Sequence, residues 1–136
     1  MITALDTNVL LDVFAADPRF LKSSREAIRD AVVRGRLVAC EVVWAEVATF
    51  FPSSAAARAA LERIGVEFDA SVADSALRAA EAWREYRRRG GRRTRVAADF
   101  LIAAHAETRA DRLLSRDRGF YRAHFRRLAV VDPTSR

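Results

Sequence analysis

The chain alternates short apolar runs with longer stretches whose apolar positions recur at helical spacing. Ile2 to Leu5 reads as a first strand, and Asn8 to Ala15 as a short helix ended by the turn signal Asp17-Pro18. Leu21, Ile28, Val32 and Val33 predict an amphipathic helix over Phe20 to Arg34, stopped at Gly35. Leu37 to Cys40 forms a second strand, and Val42 to Phe51 a helix that ends before Pro52. Ser54 caps a helix to Ile64, which Gly65 terminates. Val66 to Phe68 is a short strand, and Asp74 to Arg89 a long helix broken by Gly90-Gly91. Thr94 caps the next helix, from Arg95 to about Arg109. Arg112 to Leu114 is a strand, Gly119 to Phe125 a short helix, and Leu128 to Val131 the last strand.

Strands separated by helices imply βαβ units and a parallel sheet. The strands are short and apolar, as in a sheet covered on both faces. The expectation is an α/β fold, a three-layer α/β/α sandwich with a central parallel sheet, in a single domain over residues 1–136. In such folds ligands bind beyond the carboxyl ends of the strands.

Composition narrows the class. Hydrophobic residues make up 51% and charged residues 31%, which excludes a disordered chain. Cys40 is the only cysteine, so neither an intramolecular disulfide nor a multi-thiolate metal site can form. The first residues lack a basic segment followed by an apolar one, and no apolar run approaches the roughly 20 residues of a membrane helix. A soluble, cytoplasmic protein without membrane contact is expected.

The net charge of +6 points to a polyanionic partner. Arginine supplies nearly all of it, Lys22 being the only lysine, and arginine-rich codon usage contributes to the excess. Six arginines fall in the nine residues from Arg87 to Arg95. They read either as a basic rim for phosphates or as a solvated helix end. The phosphate candidates are Arg92, Arg93, Arg95 and Arg116, with Arg112, Arg118, Arg126 and Arg127 as further ones. Trp44, Trp83 and His105 read as packing residues.

Four acids carry the chemistry. Asp6 follows the first strand and Asp117 follows the strand ending at Leu114, so the fold rule puts both at one sheet edge. Glu46 has Val42, Val43, Thr49 and Phe50 as helical neighbours, and Asp99 has Ile102, Ala103 and Ala106. Both are expected to project inward, toward a cavity over that edge. Taken singly, Asp6 could cap a helix, Glu46 could reach solvent, Asp99 could pair with Arg95 and Asp117 could serve a turn. Together they form an oxygen-only cluster whose mutual repulsion a hard cation, Mg²⁺ or Mn²⁺, would relieve.

Asp6-Thr7-Asn8 after a strand, Trp44-Ala45-Glu46 in a helix, Asp99-Phe100-Leu101-Ile102-Ala103-Ala104 and Ser115-Arg116-Asp117 resemble the PIN-domain ribonucleases. Within them the chain is most similar to the VapC toxins of bacterial toxin–antitoxin pairs. The resemblance implies a PIN-like sandwich, metal binding by Asp6, Glu46, Asp99 and Asp117, and endonucleolytic hydrolysis of RNA with Mg²⁺ or Mn²⁺. It gives Asn8 and Ser115 supporting places. It also implies a VapB-like antitoxin, a homodimer, and an antitoxin groove to which Val9, Leu10 and Phe14 could supply apolar surface. Cys40 departs from the pattern, since relatives often open the Glu-bearing helix with serine.

Other folds with acids at a sheet edge fit less well. A haloacid-dehalogenase-type phosphatase wants a second Asp where Asn8 stands, and a receiver domain wants a late lysine where none exists. A PIN-like module that only binds RNA or protein, or a housekeeping RNA-processing nuclease, is the alternative to a toxin.

Overall fold

The computed structural model describes residues 1–92 and 97–135. The elements run β1 (Ile2–Leu5), α1 (Thr7–Phe14), α2 (Leu21–Arg34), β2 (Arg36–Ala39), α3 (Glu41–Ala48), α4 (Ser54–Ile64), β3 (Val66–Phe68), α5 (Ala73–Arg88), α6 (Ala97–Arg109), β4 (Arg112–Leu114), α7 (Arg118–His124) and β5 (Val130–Val131). The expected α/β sandwich with a parallel sheet is present. Its five strands stand in the order β3-β2-β1-β4-β5, and every pairing is parallel. Among the described residues no helix is long and apolar enough to cross a membrane.

The strand order fixes where a site can form. From β1 the chain builds outward through β2 to β3, then returns to the other side of β1 for β4 and β5. The connections therefore diverge at the carboxyl ends of β1 and β4, which opens a crevice there. Ala4 is level with Leu113 and Leu5 with Leu114, so Asp6 and Ser115 emerge side by side. The Asp6 N–H donates to Leu114 O at 3.0 Å and extends that register by one residue.

The core lies on both faces of the sheet. Leu5, Leu37, Val38, Leu113 and Leu114 are fully buried strand residues. Val9, Leu10, Val43, Val47, Leu61 and Phe100 cover them from the helices. Each such side chain contributes about 1.5–3 kcal/mol relative to exposure. The anticipated groove surface of Val9 and Leu10 is thus core, and Phe14 packs edge-on against Phe51 at 5.2 Å.

Several boundaries differ from the periodicity. The cap of α4 is Ser53, whose Oγ accepts from Ala56 N–H at 3.1 Å, one residue before the expected Ser54. The helix expected to reach Phe51 ends at Ala48, where the Thr49 hydroxyl donates to Glu46 O and competes for the backbone. The last strand begins at Val130, because Leu128 N–H closes a turn onto Phe125 O. Thr94 and the expected start of its helix at Arg95 lie outside the described residues.

The Gly90-Gly91 break serves packing. Gly90 has φ 79°, a conformation that L side chains rarely adopt. A Cβ on Gly91 would sit 2.5 Å from the Tyr86 ring. Gly91 thus lets the backbone approach Tyr86, a member of the aromatic cluster that joins α5, α6 and α7. In that cluster Phe100 lies within 5.4 Å of both Tyr86 and Phe120, and Trp83 stacks on it at 6.0 Å.

Candidate active site

Asp6 is the centre of the sheet-edge crevice. It stands at the N-cap of α1, 5% exposed, and its Oδ1 accepts from Thr7 N–H at 2.7 Å. Its Oδ2 accepts from Ser115 Oγ at 2.7 Å, from Tyr121 OH at 2.9 Å and from Asn8 Nδ2 at 3.4 Å. Burial raises the carboxyl to about 6; the three short hydrogen bonds oppose the rise, and the nearby charge of Asp99 adds to it.

Ser115 and Asn8, named by the resemblance, both hydrogen-bond to Asp6. Ser115 is buried, and its Oγ accepts from Asp117 N–H at 2.9 Å while donating to Asp6. One hydroxyl thus sets the separation of the two acid-bearing loops. Asn8 spans the same gap, with Nδ2 3.4 Å from Ser115 Oγ and Oδ1 accepting from Arg116 N–H at 3.2 Å.

Tyr121 was not foreseen. It is fully buried, and burial together with the charges of Asp6, Asp99 and Asp117 drives its hydroxyl pKa far upward. The phenol therefore stays protonated and is a permanent donor to Asp6. The charges of Asp99 and Asp117 thus act on the same hydroxyl that donates to Asp6. Asp99 stands in the first turn of α6, half-buried, where a negative charge suits the helix dipole. Asp117 stands at the N-cap of α7, also half-buried.

Glu46 departs from its expectation. It is exposed rather than inward, and its Oε1 accepts from Thr7 Oγ1 at 2.7 Å. The reason is that α3 is apolar nearly all round, so apolar neighbours do not mark its buried side. Val43 and Val47 face the core, whereas Phe50 is itself 49% exposed. The Thr7 contact still ties Glu46 to the rim, one residue from Asp6. Cys40 occupies the N-cap of this helix without a side-chain cap bond, and burial raises its thiol to about 11.

Among the described residues, no three His, Cys, Asp or Glu side chains are gathered as a ready ion cage. The donor chemistry nevertheless fits a hard cation. The candidate donors are all carboxylate oxygens, and Asp6 Oδ1 accepts a single hydrogen bond, from Thr7.

The arginines divide. Arg92 is exposed as a phosphate contact requires, and Arg93 and Arg95 lie outside the described residues. Arg116 is committed inside the fold: it forms a fork on buried Asp12 at 2.7 and 2.9 Å and lies 3.9 Å over the Phe20 ring. Ser24 Oγ donates to the same carboxylate at 2.7 Å. The expected RNA contact is therefore a clamp that ties the Asp117 loop to α1 and α2.

A second ionic group lies on the sheet at β3. Arg109 forks onto Asp69 at 2.6 and 3.0 Å, and buried His105 adds Nε2 at 2.8 Å. Arg109 first, then His105, holds the Asp69 carboxyl down at about 2 against an ordinary 3.8. A lowered carboxyl stabilises the fold above the unfolded value, and that contribution is lost as pH falls from 3.8 toward 2. Asp69→Asn is expected to flatten the pH dependence of urea midpoints across that window. An unaltered acid limb would remove Asp69 from the acid response.

Residues 3–126 match the model of the PIN domain family. No curated protein sequence matches the chain significantly. Among solved structures, VapBC2 from Rickettsia felis, bound to a DNA fragment from its promoter, superimposes with a TM-score of 0.76 at 18% identity, over 97% of this chain and 98% of that one. VapBC-1 from nontypeable Haemophilus influenzae gives 0.75 at 21% identity, over 99% and 100%. A toxin–antitoxin complex from Klebsiella pneumoniae gives 0.72 at 22%, over 98% and 99%. With Asp6 buried at the switch point of the sheet, and with the family match spanning nearly the whole chain, this protein belongs to the PIN domain family.

Proposed function

We propose that the chain is a divalent-metal-dependent endoribonuclease that acts as the toxin of a toxin–antitoxin pair. The observation that carries this reading is a buried Asp6 at the edge where a PIN-domain sheet opens, with the charges of Asp99 and Asp117 bearing on the Tyr121 hydroxyl that donates to it. Mg²⁺ or Mn²⁺ would be held by Asp6, Asp99 and Asp117, with Glu46 at the rim. Such an ion, when bound, supplies Lewis-acid polarisation of a phosphoryl oxygen and a water acidic enough to attack near neutral pH.

The chain's own residues do the positioning. Tyr121 and Ser115 pin Oδ2 of Asp6, which leaves Oδ1 with the Thr7 N–H as its one hydrogen-bond partner. Asn8 holds the β4–α7 loop at a fixed distance from α1. The net positive charge draws RNA to a site that is itself acidic, and exposed Arg92 is placed to meet its phosphates.

The toxin role rests on the sequence resemblance to VapC proteins and on the fold shared with VapBC complexes. It assigns a VapB-like antitoxin and a homodimer. An antitoxin arginine or lysine entering the acidic pocket would compete with the cation.

Purified protein is expected to cleave single-stranded RNA with Mg²⁺ or Mn²⁺, to stop in EDTA and to recover on adding either ion back. Undiminished cleavage in excess chelator would sink the metal assignment, and no cleavage under any ion would leave a PIN-like binding module. Expression alone is expected to arrest bacterial growth, and co-expression of the adjacent gene to restore it. Normal growth with abundant RNA-cleaving protein would leave a housekeeping nuclease.

A further inference from the structure

We infer that the cleft between α5 and α7 is a phosphate-binding subsite that carries the backbone of single-stranded RNA beyond the acidic crevice. The inference rests on the ribonuclease reading and adds a place where the substrate is held. The cleft has a volume of about 320 Å³. Arg78 and Arg89 of α5 line one side, and Arg126 and Arg127, just past α7, line the other. Glu81 and Glu85 also face it, so four guanidinium groups meet two carboxylates and two positive charges are in excess.

The pairing shows which charges are spare. Arg89 is bound to Glu85 at 3.1 Å. Arg78 is bound to Glu107 at 2.6 Å and lies 5.1 Å over the Phe125 ring, with Glu81 at 3.8 Å. Arg126 and Arg127 are exposed and have no ion-pair partner among the described residues. Arginines without carboxylates, at a cleft whose other cations are satisfied, are suited to forked contacts with an external phosphate.

The cleft is joined to the acids through a single element. α7 starts immediately after Asp117, sends Tyr121 inward to Asp6, and presents His124 to the cleft about 5 Å further along its axis. The His124 ring is fixed against Tyr86 at 5.1 Å and Phe120 at 4.9 Å, which keeps the cleft wall rigid. Exposed Arg87 at the end of α5, stacked on the Trp83 ring at 5.0 Å, adds a further cation near the cleft, whereas Arg88 shares Glu85 with Arg89. A strand lying in the crevice would reach Arg126 and Arg127 within a few nucleotides.

The test compares wild type, Arg126→Ser/Arg127→Ser and Arg126→Lys/Arg127→Lys. Fluorescence anisotropy in EDTA follows a long single-stranded RNA over a range of salt, and cleavage with Mg²⁺ is measured on long RNA and on a tetranucleotide. The serine variant is expected to bind long RNA about tenfold more weakly, with the salt slope lower by about 1.4 for two single-strand contacts. Its cleavage of the tetranucleotide should be unchanged, and the lysine variant should regain most of the slope.

A wild type that cleaves RNA, beside a serine variant of unaltered slope, would overturn the subsite while the nuclease stands. Equal losses on long and short RNA would overturn it also, as a general effect on the site. Displacement by poly-glutamate with no change toward RNA would assign the cleft to an acidic protein instead. A wild type that neither binds nor cleaves RNA would remove both readings.

Discussion

Asp99→Asn is expected to lower RNA cleavage by at least about a thousandfold, equivalent to several kcal/mol of lost transition-state stabilisation, and to leave the protein folded. The substitution keeps the shape of a half-buried side chain that stands above buried Ile102, Ala103 and Ala106. Two small electrostatic effects on stability oppose each other. The charge suits the first turn of α6 by about 0.3–1 kcal/mol, but it also disfavours the ionised form of buried Asp6. The melting temperature is therefore expected within about 3 °C of wild type. Circular dichroism melts alongside cleavage rates at saturating Mg²⁺ decide the matter, and wild-type rates would strike Asp99 from the site. Glu41→Gln is the control. Glu41 opens the same helix as Glu46, but its Oε2 accepts from Ser71 N–H at 2.7 Å, so activity should persist.

Arg116→Met is expected to destabilise the protein by about 3–5 kcal/mol, because it strands a buried carboxylate. Asp12 is only 4% exposed at its side chain and would keep Ser24 as its remaining partner. The stacking over Phe20 is lost as well, at about 0.5–2 kcal/mol within that total. A drop in melting temperature on the order of 10 °C follows for a chain of this size. Asp12→Leu combined with Arg116→Met should recover most of the loss, since apolar replacement of a buried pair is often neutral or better. A single Arg116→Met that melts with wild type would show that Asp12 finds another partner.

The same two residues explain what could be read in advance. The positions of Asp6 and Asp117 were legible because a rule of parallel sheets fixes where strands end, and both strands were short, apolar and bounded. Asp99 was legible because its helical neighbours are small and buried. Glu46 misled, because on a helix apolar nearly all round the neighbours carry no direction. Asp12 carries a comparable signal to that of Glu46, an acid with Val9, Ala15 and Ala16 three and four residues away, and there the carboxylate is buried. Arg116 looked like a surface cation because its partner is 104 residues earlier in the chain. Tyr121 had no motif. Its only trace was a hydroxyl amid Phe120 and Phe125, four residues after Asp117, and the need for a proton donor on Asp6 emerges only once burial is known.

The position of β1 between β2 and β4 governs when the site exists during synthesis. Asp6 leaves the ribosome long before Ser115, which sets its geometry and is 109 positions later. The half of the sheet built from β1, β2 and β3 can assemble early, with one flank of β1 bare. Only when Leu113 and Leu114 emerge does that flank acquire its neighbour, and only then can Ser115 and Asp117 come into register with Asp6. The crevice is therefore absent from a growing chain until β4 has been made. A fragment that stops short of β4 presents an unpaired strand edge, open to aggregation and to proteases.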